Sequence, residues 1–444
     1  MSDQNDFKDK NDGYELIWDD TIPEIPEATK PEGEAGTADA GSASPAADPF
    51  AVKEETPEPA EASGAGEKPE KKAGKEIKER KGLFGRKAAK DAPEAENEPS
   101  ADAPAEAAGA GKGKKKRAGF LFKLKLFLIL ILLILIVFGT FMYLIPAFNR
   151  AEGTKVSGSA DWMAQLGDTR RISMITIPGT HDSATKNVQF AYIFKCQSFT
   201  IEKQLEAGYR YLDIRLELDE GQLKLVHAFA DCKKGSMPWG EDLYLEDVLK
   251  QCYDFLDEHP TEFVIFAVKQ EHGRASVNEF ERLLTSYIME TPDKWLLTDK
   301  IPTVGQARGK LILMRRYEDA AGFGQNAGIP LIWEDQGSRK NVGLNIAQED
   351  NGTYTLWVQD RYQYEADEKW TAFTAGLKEG KADAANISIH FLSTKGKGMA
   401  GHPYKFAREL NAKLASEAPA LSGWIIMDFA SAPMAEQVYK CNFN

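Results

Sequence analysis

Residues 211–229 read YLDIRLELDEGQLKLVHAF, and this stretch decides the fold. Two apolar runs are joined by only four polar residues, 219–222. So short a link holds no helix and reads as a hairpin turn. The neighbouring runs point to a different architecture. ISMITI (172–177), RYLDIRL (210–216), LKLVHAF (223–229), FVIFAVKQE (263–271), KLILMRRY (310–317), LWVQDRY (356–362), ISIHFLS (387–393) and GWIIMDFA (423–430) all have strand character. Helical periodicity fills gaps between them: TIEKQLEAGY (200–209), YLEDVLKQCYDFLDEH (244–259), SVNEFERLLTSYIM (276–289), EADEKWTAFTAGLKEG (365–380) and KFARELNAKLASE (405–417). Strands alternating with helices make a parallel sheet, and eight such units make a TIM-type barrel. The expected fold is α/β, an irregular (β/α)8 barrel. Its irregularity falls at 219–222 and is preferred to an antiparallel pair, because the polar residues then converge.

Chemistry in such barrels gathers at the carboxyl ends of the strands. Those ends carry His181 and Asp182, then Arg215, His227, Lys269, Glu271, Arg316, Asp360, Tyr362, Ser393 and Asp428. A single strand-end arginine or aspartate is ordinarily a structural ion pair. Two histidines, three cations, several carboxylates and a tyrosine on one rim exceed what packing requires. The His181-Asp182 pair follows the apolar run behind a Pro178-Gly179 turn.

The chain before the barrel has a different character. Residues 1–117 are dominated by Ala, Glu, Lys, Pro, Gly and Asp, and such a segment buries too little apolar surface to order itself. Residues 1–50 hold three lysines against thirteen acidic residues, whereas 68–90 are basic. GYELIWDDTIPEIP (13–26) is the candidate there for a short motif binding a cytoplasmic partner. Residues 126–149 are uncharged and exceed the roughly 20 apolar residues that cross a bilayer core. Lys112, Lys114, Lys115, Lys116, Arg117, Lys123 and Lys125 precede this run, against Arg150 and Lys155 beyond it. The positive-inside rule then places the tail in the cytoplasm and the barrel outside. The expected organisation is a disordered tail (1–117), a basic flank with a transmembrane signal-anchor (118–148), a linker (149–160) and a catalytic barrel (161–444). The net charge of −13 is divided by the membrane and says little about partners. Cys196, Cys232, Cys252 and Cys441 all fall on the outer side, where disulfides are permitted and three pairings are open.

Two histidines near neutral pKa serve as paired acid and base, and cations between them suit a phosphoryl group gaining charge. The combination fits phosphodiester cleavage without a metal. HExxH, a Gly-rich phosphate loop of the GxxxxGK[ST] type and a serine elbow are all absent from the sequence.

IPGTHDSAT (177–185), YLDIRLEL, LVHAF, DEHPTEFVIFAVKQE, ARGKLILMRRY, WVQDRYQY and GWIIMDF occur in an order and spacing that resemble the bacterial phosphatidylinositol-specific phospholipase C family, of the X-domain type. The resemblance spans nearly all of 160–444. It implies that His181 is the base on the inositol 2-hydroxyl and that Asp428 fixes its tautomer. His227 would be the acid for the diacylglycerol oxygen, with Asp182 as its partner, and Arg215 would hold the phosphate. Lys269, Arg316 and Asp360 would meet inositol hydroxyls or phosphate, Tyr362 would stack on the ring, and Glu271 would support them. In eukaryotic relatives calcium occupies this region. Here Arg215 stands beside Asp213 and would repel it, so no cofactor or metal is expected. The chain departs from the family after His227, where AFADCKKGSMPWGEDLY (228–244) is longer; MPW reads either as an interfacial anchor or as part of a loop stapled by Cys232.

The expected protein is a membrane-anchored lyase acting on phospholipid, with no nucleic-acid partner. The alternatives are cleavage of another phosphodiester with a vicinal hydroxyl, and a non-catalytic scaffold barrel; the filled positions His181, Asp182, Arg215, His227 and Asp428 speak against the scaffold. On intact cells, added protease should remove the barrel and spare the tail, read by tags at the two ends.

Overall fold

The computed structural model describes residues 111–151, 153, 157–271, 275–337, 347–350, 354–398 and 401–443. The tail motif at 13–26 and Lys155 lie outside the described residues. The first element is the helix Gly111–Gly139, extended by a π-helical turn, Thr140–Leu144, and a last turn, Ile145–Ala147. Its start at Gly111 puts the basic run 112–117 on the helix instead of in the tail. Gly119–Ala147 is the one segment among the described residues that is long and apolar enough to cross a membrane, and none of its apolar window is buried in protein. An isolated helix apolar on every face has no aqueous partner to justify it.

Among the described residues twelve strands follow: β1 (Ile177–Thr180), β2 (Tyr211–Asp219), β3 (Gln222–His227), β4 (Ala230–Asp231), β5 (Val264–Gln270), β6 (Trp295–Leu296), β7 (Leu311–Arg315), β8 (Ile329–Pro330), β9 (Ala347–Asp350), β10 (Thr355–Gln359), β11 (Asn386–Phe391) and β12 (Trp424–Met427). Nine of them order as β6-β7-β5-β2-β1-β12-β11-β10-β9, with β3, β4 and β8 off this path. Ladders along this path are parallel except β9 with β10. The sheet curls as an irregular TIM-type barrel, as expected from the alternation of strands and helices.

Three local expectations are corrected. First, 219–222 does turn a hairpin: β2 and β3 pair antiparallel from Leu216↔Leu225 to Asp219↔Gln222. β3 is therefore no barrel stave. The barrel gains a parallel strand instead at β8, which pairs with the end of β7 and is two residues long, too short for any periodicity. Second, the run 172–177 is not a strand: Ile172–Met174 is a 3-10 turn, and β1 begins only at Ile177. Third, Pro178 and Gly179 form no turn and lie within β1, paired with Ile425 and Ile426 of β12. A Cβ on Gly179 would lie 2.4 Å from Ile426 Cδ1 and 2.8 Å from Tyr211 Cβ, so the barrel interior leaves room only for hydrogen there.

No ladder joins β8 to β10 among the described residues. Gln336 spans that seam, donating to Val358 O and accepting from Asp360 N, both at 2.9 Å. Period-two alternation divides β2 between two layers. Leu212, Ile214 and Leu216 pack outward with Val264, Phe266 and Val268 under the helices Leu245–Glu258 and Val277–Glu290. Tyr211, Asp213 and Arg215 alternate with them and face inward.

Arg210 and Glu262 lie just before β2 and β5 and pin the closed end of the barrel. Both are fully buried, with Arg210 Nε 2.9 Å from Glu262 Oε2. Arg210 also donates to Leu205 O, Tyr209 O and Ala160 O, and Glu262 accepts from Met163 N. Glu262→Ala would leave an uncompensated buried guanidinium and should cost about 3–5 kcal/mol. A drop in the thermal unfolding midpoint, with no shift for a surface control such as Lys250→Ala, checks this.

Candidate active site

The exits of β1 and β12 are tied together before any catalytic group is placed. His181 N donates to Met427 O at 3.1 Å, and Gln197 Nε2 donates to both His181 O and Met427 O. Ser183 N donates to Asp213 O, and Ser183 Oγ accepts from Asp213 N at 2.8 Å, which fixes the β1 exit on β2. Asp182, Ala228 and Phe429 have φ of 44°, 52° and 47°. These left-handed positions are the His-Asp pair itself and the residues just after His227 and Asp428. Strain of this kind persists where the surroundings over-determine it.

Around Asp182 the charges interlock. Its Oδ2 is 3.1 Å from His181 Nε2 and 3.3 Å from His227 Nε2, and its Oδ1 is 2.9 Å from Arg215 Nε. Asp428 Oδ1 is 2.8 Å from His181 Nδ1. His227 Nδ1 donates to Phe194 O at 2.8 Å, since a carbonyl only accepts, and this leaves Nε2 facing Asp182. Arg215 NH2 approaches His181 Nε2 at 2.9 Å. A guanidinium only donates, so neutral His181 keeps its proton on Nδ1 toward Asp428. When Nε2 gains a proton, Asp182 Oδ2 is already placed to accept it.

Burial opposes charge on His181, but Asp182 and Asp428 outweigh it and raise its pKa. At His227 burial prevails over Asp182, with Arg215 and His181 adding to it, and the pKa falls. Asp213 is buried, yet Arg215 and Arg316 (NH1 to Oδ1, 3.0 Å) hold its carboxyl far below the usual range. Burial resists ionisation of Glu271, but Arg215 and Lys269, each 3.0 Å from Oε1, bring it down to about 2.

A cavity of about 610 Å³ opens over this cluster. Its lining brings together His181, Arg215, His227, Lys269, Glu271, Arg316, Asp360, Tyr362, Ser393 and Asp428. Asp182 lies beneath, nearly fully buried. Arg215 is not at a strand end: β2 continues past it into the hairpin, and Arg215 stands where pairing passes from β5 to β3. Tyr362 OH donates to Asp335 Oδ1 at 2.7 Å.

Several lining residues escaped the sequence reading. The Trp333 ring lies 4.2 Å from the Arg316 guanidinium carbon, and Asp335 and Lys395 complete the polar end. Ile193, Phe194, Ala228, Phe229 and Pro403 make the other end apolar. Trp333 and Asp335 follow the two-residue β8, and Phe194 belongs to a four-residue helix, Ala191–Phe194. Neither segment is long enough to carry a periodic signal.

All four cysteines are free thiols. Cys196 Sγ lies 4.0 Å from Asp182 Oδ2 and 3.9 Å from His227 Nδ1, and burial, followed by Asp428 and Asp182, pushes its pKa well up. It lines the cavity as a buried thiol. The loop 228–244 is held by Cys232 N to Leu225 O and Leu243 N to Cys232 O, both 2.9 Å, and not by a disulfide. His181, Asp182 and Cys196 have donor atoms close enough together for a metal ion. The Arg215 guanidinium, however, already contacts His181 and Asp182 and opposes any cation there.

Residues 168–318 match the PI-PLC X 1 family model. The chain is 26% identical over 294 residues to 1-phosphatidylinositol phosphodiesterase of Staphylococcus aureus (strain Newman), covering 61% of this chain and 88% of that one. The corresponding Listeria monocytogenes protein is 26% identical over 301 residues, 63% of this chain and 84% of that one. In fold, a variant of the Staphylococcus aureus phosphatidylinositol-specific phospholipase C superposes with TM-score 0.53 at 21% identity, covering 64% of this chain and 97% of that one. The chain thus carries a PI-PLC X-domain match over residues 168–318 and is homologous to the bacterial phosphatidylinositol-specific phospholipases C.

Asp428→Asn should lower the His181 pKa, read by imidazole NMR with His181→Ala for assignment. The sign in stability follows from the raised folded value. His181 stabilises the fold fully below its unfolded pKa of about 6.5, and that contribution is lost as pH rises through the higher folded value. Asp428→Asn should flatten this part of the stability-pH curve.

Proposed function

We propose that the protein is a membrane-anchored phosphatidylinositol-specific phospholipase C, its tail cytoplasmic and its barrel outside. It cleaves phosphatidylinositol, or its glycosyl derivatives, to inositol 1,2-cyclic phosphate and diacylglycerol. The reading rests on one observation above all: the Nε2 atoms of two histidines converge on one buried carboxylate oxygen, with a guanidinium against the same group.

In this mechanism His181 Nε2 takes the proton of the inositol 2-hydroxyl. The freed oxygen attacks phosphorus, and the bond from phosphorus to the diacylglycerol oxygen breaks. His227 Nε2 gives its proton to that leaving oxygen. Asp428 holds the His181 tautomer, and Asp182 steadies the proton on either ring. Arg215 is positioned against the non-bridging oxygens, where charge grows in the transition state. Lys269, Arg316 and Asp360 meet inositol hydroxyls or phosphate, Tyr362 offers its ring face, and Glu271 aligns Arg215 and Lys269. The apolar end at Ile193, Phe194 and Phe229 lies on the His227 side, where the lipid moiety would leave. Arg215 supplies the positive charge that a divalent ion would otherwise bring.

Phosphorus NMR of phosphatidylinositol in mixed micelles tests this. A cyclic phosphodiester should form undiminished under a calcium chelator. Loss of either acid-base group, in His181→Ala or His227→Ala, should lower kcat by at least about 10²–10⁴-fold. Arg215→Lys, which loses the planar fork, should lower it roughly 10²–10³-fold. Failure to turn over phosphatidylinositol, with turnover of another vicinal-hydroxyl phosphodiester, would reassign the substrate.

A further inference from the structure

The membrane helix does not end in isolation. Its last turns pack on the segment that lines the cavity. The Phe141 ring meets Tyr192 at 6.2 Å, and the Tyr143 ring meets Phe190 at 6.5 Å. Lys195 Nζ donates to Pro146 O at 3.0 Å. Between these anchoring points lie Ile193 and Phe194, which line the cavity, and Phe194 O holds the His227 ring.

An apolar rim continues from this contact. Phe229 packs on Phe190 at 6.1 Å and on Phe194 at 5.1 Å, yet is 67% exposed. Gln189 Nε2 donates to Pro238 O at 3.4 Å, which brings the turn carrying Met237 and Trp239 beside Phe190. Trp239 is 77% exposed. Exposed aromatics of this kind suit the headgroup level of a bilayer. Cations border the same place: half-buried Lys186 and exposed Arg150 lie near the buried Lys195.

The depth of this rim follows from helix geometry. The uncharged run 126–149 spans about 36 Å at 1.5 Å per residue. A hydrocarbon core of about 30 Å is then crossed by roughly residue 145. Phe141 and Tyr143 therefore lie in the outermost turn, and residues docked on them meet the interface.

We propose that the anchor docks the cavity mouth face-down on the membrane it crosses, so that lipid enters from the protein's own outer leaflet past Phe190, Phe194 and Phe229. This rests on the phospholipase reading and on the helix spanning a bilayer. The helix is thus a positioning element for the site as well as a tether. Lipid reaches the cavity by lateral movement, without crossing water to a second membrane.

The test uses the full chain in proteoliposomes carrying phosphatidylinositol of one acyl composition, mixed with protein-free vesicles carrying another. Mass spectrometry of the diacylglycerols reports the two pools, normalised to the outward-facing fraction. The protein's own vesicles should be consumed about tenfold faster or more, independent of dilution. Equal or faster consumption of the protein-free pool would overturn the inference. The variant Phe141→Ala with Tyr143→Ala keeps the span and removes the docking. Its own-vesicle turnover should fall about fivefold, while mixed-micelle turnover stays within about twofold. Unchanged own-vesicle turnover would show that tethering alone suffices and would overturn the docking. Absence of turnover in micelles as well would sink the phospholipase reading, and the inference with it.

Discussion

Asp182 gathers the charges on which the rest of the site depends. Its two oxygens face both histidines and the Arg215 guanidinium, and the residue is nearly fully buried. A carboxylate so placed would be costly without partners, and each partner would lose its orientation without the carboxylate. The backbone bends to allow it, since Asp182 takes a positive φ while its N-H bonds Asp213 Oδ2 at 3.1 Å. Asp213 in turn is shared by Arg215 and Arg316. One network thus links the exits of β1, β2, β3 and β7.

The two histidines occupy unlike surroundings although they share Asp182. His181 has a carboxylate on each ring nitrogen, and this overcomes burial. His227 has a carbonyl on one nitrogen and cations nearby, and burial prevails. Environments that push two titratable groups apart are the usual means of assigning base and acid. On the proposed mechanism the base is the ring that holds a proton more firmly, so the productive state would have a proton moved from His181 to His227. Arg215 and Asp182 flank His181 Nε2 as ready donor and ready acceptor, and the ring accommodates either state without rotating.

The hairpin β2–β3 connects the fold to this chemistry. A regular βα unit would have sent the chain from Arg215 back down the barrel wall. The turn at 219–222 returns it at once and delivers His227 opposite His181, with ring centroids 6.2 Å apart. The strand that breaks the barrel's regularity is the strand that brings the second histidine. The loop after it then carries Phe229 and Trp239 to the rim, near the end of the long apolar helix.

Much of this was legible in the residues themselves. Short apolar runs ending in polar residues placed His181, Lys269, Arg316, Asp360 and Asp428 at one end of a barrel, because burial on both faces leaves its mark locally. The uncharged run 126–149 was legible as a helix long and apolar enough to cross a membrane for the same reason. The tertiary structure alone decided which runs became staves. β3 has strand character but pairs antiparallel, whereas β8 is a stave only because β7 offers it an edge. It alone brought Trp333, Asp335 and Phe194 to the cavity, from segments too short to show a period. It alone left Cys196 beside His227 as a buried thiol. Local patterning records which side of an element is buried, but pairing and convergence depend on partners tens to hundreds of residues away, and no window of sequence contains both.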